Sequence, residues 1–351
     1  MATKSDIKKR NTGRSLKLIS YYLLYVSIMF SCDLDIVSDI TGKVGISPFY
    51  STNLFGNVIY EAPYFYALKS NYSVYGDTGN QLFSIYRYDD SSFTEERVLT
   101  SLYSISDIVI AGGHLYYTSN SEHKIYKVAD VGSIASGSLP TTPVSYAGTG
   151  TQGTVDGTGT ASAQFDTPMF IATDNTTLWV LEAGGLREID LSNAAVTTNG
   201  AAMDTSTYGT MIYANSKIYA VNATDYTVAE VDTTGPTITT WIGNSGNAGV
   251  DNGTGTAAKI TFLVDMAADS DYLYFTDAIY SSGIYYYSVR KAAFADKVVT
   301  RVFGMSALST TPPQEATGTG SDVYLYFPDG IEVLDGELYL STQTGFFRYT
   351  P

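Results

Sequence analysis

The chain holds one cysteine, Cys32, in 351 residues, so no disulfide can form within it. Histidine is nearly as scarce. A Ser-His-Asp site would have to be built on His114 or His123. His114 follows Gly112-Gly113 and is expected on a turn, and His123, in Ser-Glu-His-Lys, is expected to be structural. Helical periodicity is absent beyond the first 31 residues, which argues against a helical domain. The longest apolar run, residues 18–30, has 13 residues, where a membrane span needs about 20. Positive charge is also missing from most of the chain. The net charge is -15, and residues 1–31 carry +5, so the remainder stands at -20. That argues against nucleic acid, where a basic stripe would supply the affinity, and against direct adhesion to anionic lipid. The acids are not gathered as calcium would need: Asp156-Gly157 and Asp251-Asn252-Gly253 offer no run of carboxylates and are expected as Asx turns. Gly148-x-Gly150-x-x-Gly153 matches the dinucleotide fingerprint in letters only. No helical pattern follows it, so a link between sheets is expected there.

What the chain does contain is 30 Tyr and 32 Gly among many Thr, Val and Ile, a composition suited to short strands joined by turns. Residues 147–198 set the pattern. A Gly/Thr-rich stretch leads into four short apolar strands, at 170–173, 178–181, 186–189 and 195–198, separated by Asp174-Asn175, Ala183-Gly184-Gly185 and Ser192-Asn193. Such a meander cannot bury both faces alone and needs copies of itself on either side. The copies are there. The second-strand pair recurs as Phe65-Tyr66, Leu115-Tyr116, Leu178-Trp179, Ile218-Tyr219, Leu273-Tyr274 and Leu338-Tyr339, at spacings of 50, 63, 40, 55 and 65 residues. The third strand recurs at 85–88, 125–128, 186–189, 228–231, 287–290 and 346–349, and the Gly-rich stretch returns at 249–262 and, degenerate, at 316–331.

In these residues the chain resembles the NHL-repeat family of β-propellers: a Gly-rich loop with Asp-Gly and Phe-x-x-Pro, an apolar strand, a Leu-Tyr strand ending in a polar residue, an Ile-Arg-Lys-like strand, then Val-Thr-Thr. Residues 147–198 fit well and 239–302 moderately. The resemblance implies an all-β, six-bladed β-propeller over residues 48–351 and implies little about activity, because one fold hosts many functions. Five blades end in a fourth strand, whereas the sixth stops at Pro351 without one. Residues 49–56, Phe-Tyr-Ser-Thr-Asn-Leu-Phe-Gly, look like the fourth-strand ends 299–304 and 238–243. They are expected to pair beside residues 345–349 and close the ring.

The first 31 residues read as a signal peptide, basic and then apolar, followed at once by Ser31-Cys32 and the acidic Asp33-Leu34-Asp35. This resembles a bacterial lipoprotein signal of the loose form found in spirochaetes and Bacteroidetes, in which the peptide is cleaved before the cysteine and the thiol acylated. The resemblance implies lipid on Cys32, a tether over residues 32–47, and a cell-envelope location at the outer membrane or the periplasmic face. With Cys32 acylated, no thiol remains for catalysis.

Polar residues follow or end the second strands: Asn120, Glu182, Asn222 and Asp277, with Thr342 weaker. In a propeller, equivalent positions form a ring near the channel mouth, which is the expected binding site. Tyr72, Tyr75 and Tyr280 are expected on exposed turns, where tyrosine suits interfaces and sugars. Without a credible catalytic constellation, the expectation is a monomeric, non-catalytic envelope lipoprotein binding a protein, peptide or glycan, with no nucleic acid, no cofactor and no metal ligands assigned. The alternative is a metal-dependent lyase or hydrolase, since lactonase-like six-bladed propellers place Glu, Asn and Asp from different blades on one metal.

Overall fold

The computed structural model describes residues 54–71, 82–92, 94–101, 103–235, 237–281, 284–304, 328–342 and 345–349. They form six antiparallel sheets, each built from consecutive strands. Blade one is β1 (Leu54–Glu61), β2 (Tyr64–Asn71), β3 (Leu82–Asp89) and β4 (Glu95–Ser101). Blade two is β5 (Asp107–Ala111), β6 (His114–Ser119), β7 (Lys124–Val128) and β8 (Val144–Ala147). A two-residue β9 (Gly157–Thr158) and the short helix α1 (Gly159–Ser162) precede blade three, which is β10 (Phe170–Thr173), β11 (Thr177–Glu182), β12 (Gly185–Asp190) and β13 (Ala195–Thr198). Blade four is β14 (Tyr208–Ala214), β15 (Lys217–Asn222), β16 (Thr227–Val231) and β17 (Ile238–Ile242). After β18 (Gly253–Thr254), blade five is β19 (Phe262–Ala268), β20 (Tyr272–Ser281), β21 (Ile284–Ala293) and β22 (Val298–Gly304). Blade six has three described strands, β23 (Pro328–Leu334), β24 (Glu337–Thr342) and β25 (Gly345–Tyr349).

The first strands pack on one another in cyclic order, β1 on β5, β5 on β10, β10 on β14, β14 on β19, β19 on β23 and β23 on β1. The molecule is therefore a six-bladed β-propeller with its first strands around the axis. The core is divided into six clusters, one at each seam between blades. Strand alternation explains the division. In β11, Leu178 and Val180 enter the seam with blade two, while Trp179 and Leu181 enter the seam with blade four. Both faces of a blade are thus apolar, which is why the second strands read as unbroken apolar pairs. Several first-to-second turns hold two successive left-handed residues, at Gly112-Gly113, Asn215-Ser216 and Asp335-Gly336, matching the twist of tight hairpins.

The seam between blades six and one closes the ring with aromatic rings. Phe65 lies 4.3 Å from Tyr339, and Tyr88 stacks on Phe346 at 5.7 Å. Of the segment expected to complete blade six, residues 49–53 lie outside the described residues. Leu54 to Gly56 begin β1 instead, with Leu54 opposite Lys69, so those three are not available to β25. The described residues contain no helix long and apolar enough to cross a membrane.

The Gly-rich links contain more structure than a loop. β9 pairs with β13 and β18 with β22, so each link reaches the outer edge of the blade it precedes and adds a fifth strand there. The glycine ending the fourth strand makes the departure possible. Gly243 has φ +99, and a Cβ there would meet the Tyr226 carbonyl at 2.5 Å; Gly148 and Gly304 repeat the arrangement in blades two and five. Gly243→Ala combines a left-handed backbone with a clash against main chain. It should destabilise the domain by at least about 2 kcal/mol, read as a lowered melting temperature.

Candidate functional site

The second-to-third turns and the links between blades share one face of the disc, called here the upper face. β6, β11, β15, β20 and β24 begin in the same register, which puts Ser119, Glu182, Asn222, Asp277 and Thr342 at the equivalent sixth position, at or near the turn. Asn120 sits one residue beyond that ring. It accepts a hydrogen bond from the Ser104 hydroxyl, and its amide donates to the Met169 sulfur at 3.3 Å. Asn222 turns its oxygen onto the backbone N–H groups of Thr224 and Asp225, at 3.1 and 2.9 Å, and so caps its hairpin.

Glu182 and Asp277 have a different occupation. Both are fully buried beneath an arginine of the next strand. Arg290 Nη1 lies 2.8 Å from Asp277 Oδ2 and donates also to the Lys259 carbonyl, while Nη2 donates to the Asp251 carbonyl at 2.8 Å. Asp277 Oδ1 accepts the backbone N–H groups of Thr261 and Phe262 at 3.1 and 3.2 Å. Blade three repeats the device. Arg187 donates to Glu182, to the Gln164 and Val155 carbonyls and to Asp156, while Glu182 Oε2 accepts the Asp166 N–H at 2.7 Å. In each case an acid and an arginine clasp the Gly-rich link to its blade. Burial nevertheless leaves both acids raised above the ordinary carboxylate range. Asp156 thus receives Arg187 and Asp251 pairs with Lys259, where Asx turns were expected.

The two histidines are likewise tied to the backbone. His114 Nδ1 accepts the Asp130 N–H at 2.9 Å and His123 Nδ1 the Thr167 N–H at 3.2 Å. Among the described residues no group of three or more His, Cys, Asp or Glu is placed to share a metal ion.

Around the axis the first strands carry acids that the sequence reading passed over. Asp107 takes N–H groups from Ile108 and from Ile171 of the next blade, at 2.8 and 2.9 Å, and the Asn57 amide at 2.6 Å. Asp265 accepts the Ile331 N–H of the next blade at 2.9 Å. Glu332 accepts Val333 N–H at 2.8 Å and is bonded by the Tyr60 backbone across the closing seam. Asp107 and Asp265 stand on opposite sides of the ring, in blades two and five, and each bonds the first strand of the next blade. Burial pushes the Asp107 and Glu332 carboxyls up to about 7 and Asp265 well above its ordinary value. Asp265 lies where β19 bulges against β20, a feature that re-aims a side chain and leaves no mark in the hydrophobic pattern.

The part of the upper face suited to a ligand lies on blade five, at its seams with blades four and six. β20 and β21 are ten residues each, so their hairpin extends past the six-residue β11 and β15. The extension carries Tyr280, 59% exposed, with its ring 4.8 Å from Tyr285, which stacks on Tyr287 at 6.1 Å. Phe262, 40% exposed, stands opposite Ala278 on the same hairpin. It also walls a small crevice between the two blades, with Asn222, Tyr226 and Thr261. The Thr261 hydroxyl there is buried without a partner among the described residues. Asn222 therefore borders this site, and Asp277 holds its wall in place from beneath. Tyr72 and Tyr75 lie outside the described residues.

No protein-family model matches the chain, and no curated protein matches it. Solved structures do. A Bacteroides thetaiotaomicron protein of unknown function aligns with TM-score 0.63 at 12% identity, over 87% of this chain and 71% of that one. An auxiliary nutrient binding protein from Bacteroides thetaiotaomicron aligns with TM-score 0.60 at 13% identity, over 85% and 70%. A second auxiliary nutrient binding protein, from Bacteroides ovatus, aligns with TM-score 0.58 at 11% identity, over 85% and 69%. At these identities the likeness is one of fold.

Proposed function

We propose that this chain is a non-catalytic binding propeller of a bacterial cell envelope. It is anchored by lipid on Cys32, works as a monomer, and holds a carbohydrate on the upper face at blade five. The observation that carries this reading is the pair of exposed aromatic residues, Tyr280 and Phe262, on the upper face of blade five. Flat rings give contact area at low entropy cost and stack on the apolar face of a sugar. The net charge of -15 speaks against polyanionic ligands. The envelope location draws on the leader's resemblance to a lipoprotein signal and on the nutrient-binding fold neighbours.

A metal-dependent lyase or hydrolase would need Glu182 and Asp277 turned to a metal, and their oxygens are engaged by Arg187, Arg290 and the backbone. The test is a glycan array followed by calorimetry. Tyr280→Ala should weaken the selected glycan about tenfold, as loss of an aromatic anchor does, with the melting temperature unchanged. Unchanged affinity in the double variant Tyr280→Ala, Phe262→Ser would remove the aromatic pair from the site.

A further inference from the structure

The opposite, lower face carries the first-to-second and third-to-fourth turns, and at the seam of blades four and five it is hollowed. A depression of about 390 Å³, open to solvent, is lined there by Asn215, Ser270, Asp271, Tyr272 and Phe294, with two alanines, Ala293 and Ala295. That volume falls at the small end of small-molecule sites. Its walls are held from behind. Asp269 Oδ1 accepts the N–H groups of Asp271 and Tyr272 at 2.8 and 2.7 Å, Asp269 Oδ2 accepts the Tyr274 hydroxyl at 3.0 Å, and Phe294 N–H donates to the Asp271 carbonyl at 2.9 Å. The Phe294 ring rests on Tyr219 at 5.5 Å and Trp241 at 5.6 Å, so the aromatic floor belongs to the seam's own core.

The chemistry of the lining narrows the occupant. The Phe294 ring offers an apolar surface, while an amide, a hydroxyl and a carboxylate supply donors and acceptors at the rim. Asp271 repels an anion. A neutral ring with one apolar face and several hydroxyls satisfies every group.

We propose that this depression is a second carbohydrate site, sized for one pyranose and separate from the upper-face aromatic pair. The full chain is titrated with glucose, galactose and N-acetylglucosamine while the methyl resonances of Ala293 and Ala295 are followed by NMR. At least one sugar should shift both with an affinity on the order of millimolar. Asp271→Ala should weaken it about tenfold, and Ser270→Trp, which fills the depression from an exposed turn, should abolish it. Tyr280→Ala should leave it unaltered. No shift with any of the three sugars overturns the proposal. So do shifts that survive both lower-face variants, or that vanish in Tyr280→Ala. Loss of upper-face glycan binding in Tyr280→Ala, with these shifts retained, separates the two sites.

Discussion

Replacing Arg290 with Met should lower stability by about 3–5 kcal/mol, which for a domain of this size is a drop of roughly 10 °C in melting temperature. The size follows from what the guanidinium leaves behind. Asp277 is fully buried with Arg290 as its counter-charge, and the carbonyls of Asp251 and Lys259 lose their donor at the same time. A charge stranded inside the fold costs far more than the pair contributes. Double replacement by Arg290→Met and Asp277→Val should therefore recover part of the loss, with a coupling of about 2 kcal/mol or more in the four-way cycle. Arg187→Met should behave in the same way in blade three. Arg87→Met should cost less, because its acid Glu96 sits partly in solvent on the outer strand. Asp277 also holds the Thr261 and Phe262 backbone, so Arg290→Met should weaken any ligand of the upper-face crevice. Urea unfolding of the four proteins decides the matter: a loss under about 1 kcal/mol for Arg290→Met would mean that the clasp does not hold the link.

The blades were legible because each second strand sends alternate residues into two apolar seams, leaving pairs such as Leu178-Trp179 and Leu273-Tyr274 that no helix or one-sided sheet would produce. The clasp was not, for the same reason. Arg187 and Arg290 are charged residues whose burial no strand pattern announces, and only the folded link brings carbonyls to them from 23 to 39 residues away in sequence. A signal did exist, an acid at the sixth position of the second strand with an arginine on the third, in the two blades preceded by good copies of the Gly-rich stretch. Asn120 was aligned by its side-chain type, while the strand register gives the place to Ser119. The axial acids escaped because Asp265 sits in a bulge and Asp107 opens its strand, so neither breaks an apolar run.

Those axial acids should make the domain most stable under mildly acidic conditions. Asp107 and Glu332 hold their protons in the folded ring up to about pH 7 and Asp265 holds its own well above the ordinary carboxylate range, whereas in the unfolded chain all three release them near pH 4. Between those values the folded state binds more protons, so stability falls as pH rises. For Asp107 alone the raised value corresponds to as much as about 4 kcal/mol. Below pH 4 the exposed turn carboxylates act the other way. Asp89, lowered to about 2 by Ser91 and Ser92, and Asp190, lowered by Ser192, lose their turn bonds on protonation. The melting temperature should therefore peak near about pH 4–5 and decline toward pH 8. The groups that meet the three acids are backbone N–H donors, the Asn57 amide and the Thr210 hydroxyl, none of them cationic. Glu332→Gln keeps an acceptor for Val333 N–H while removing one charge from the channel. It should raise the melting temperature at pH 8, leave it nearly unchanged at pH 4, and flatten the decline by about a third. A melting temperature that holds level or climbs from pH 5 to pH 8 in the parent protein would show that the axial carboxylates are already ionised at pH 5, their N–H donors outweighing burial and mutual repulsion.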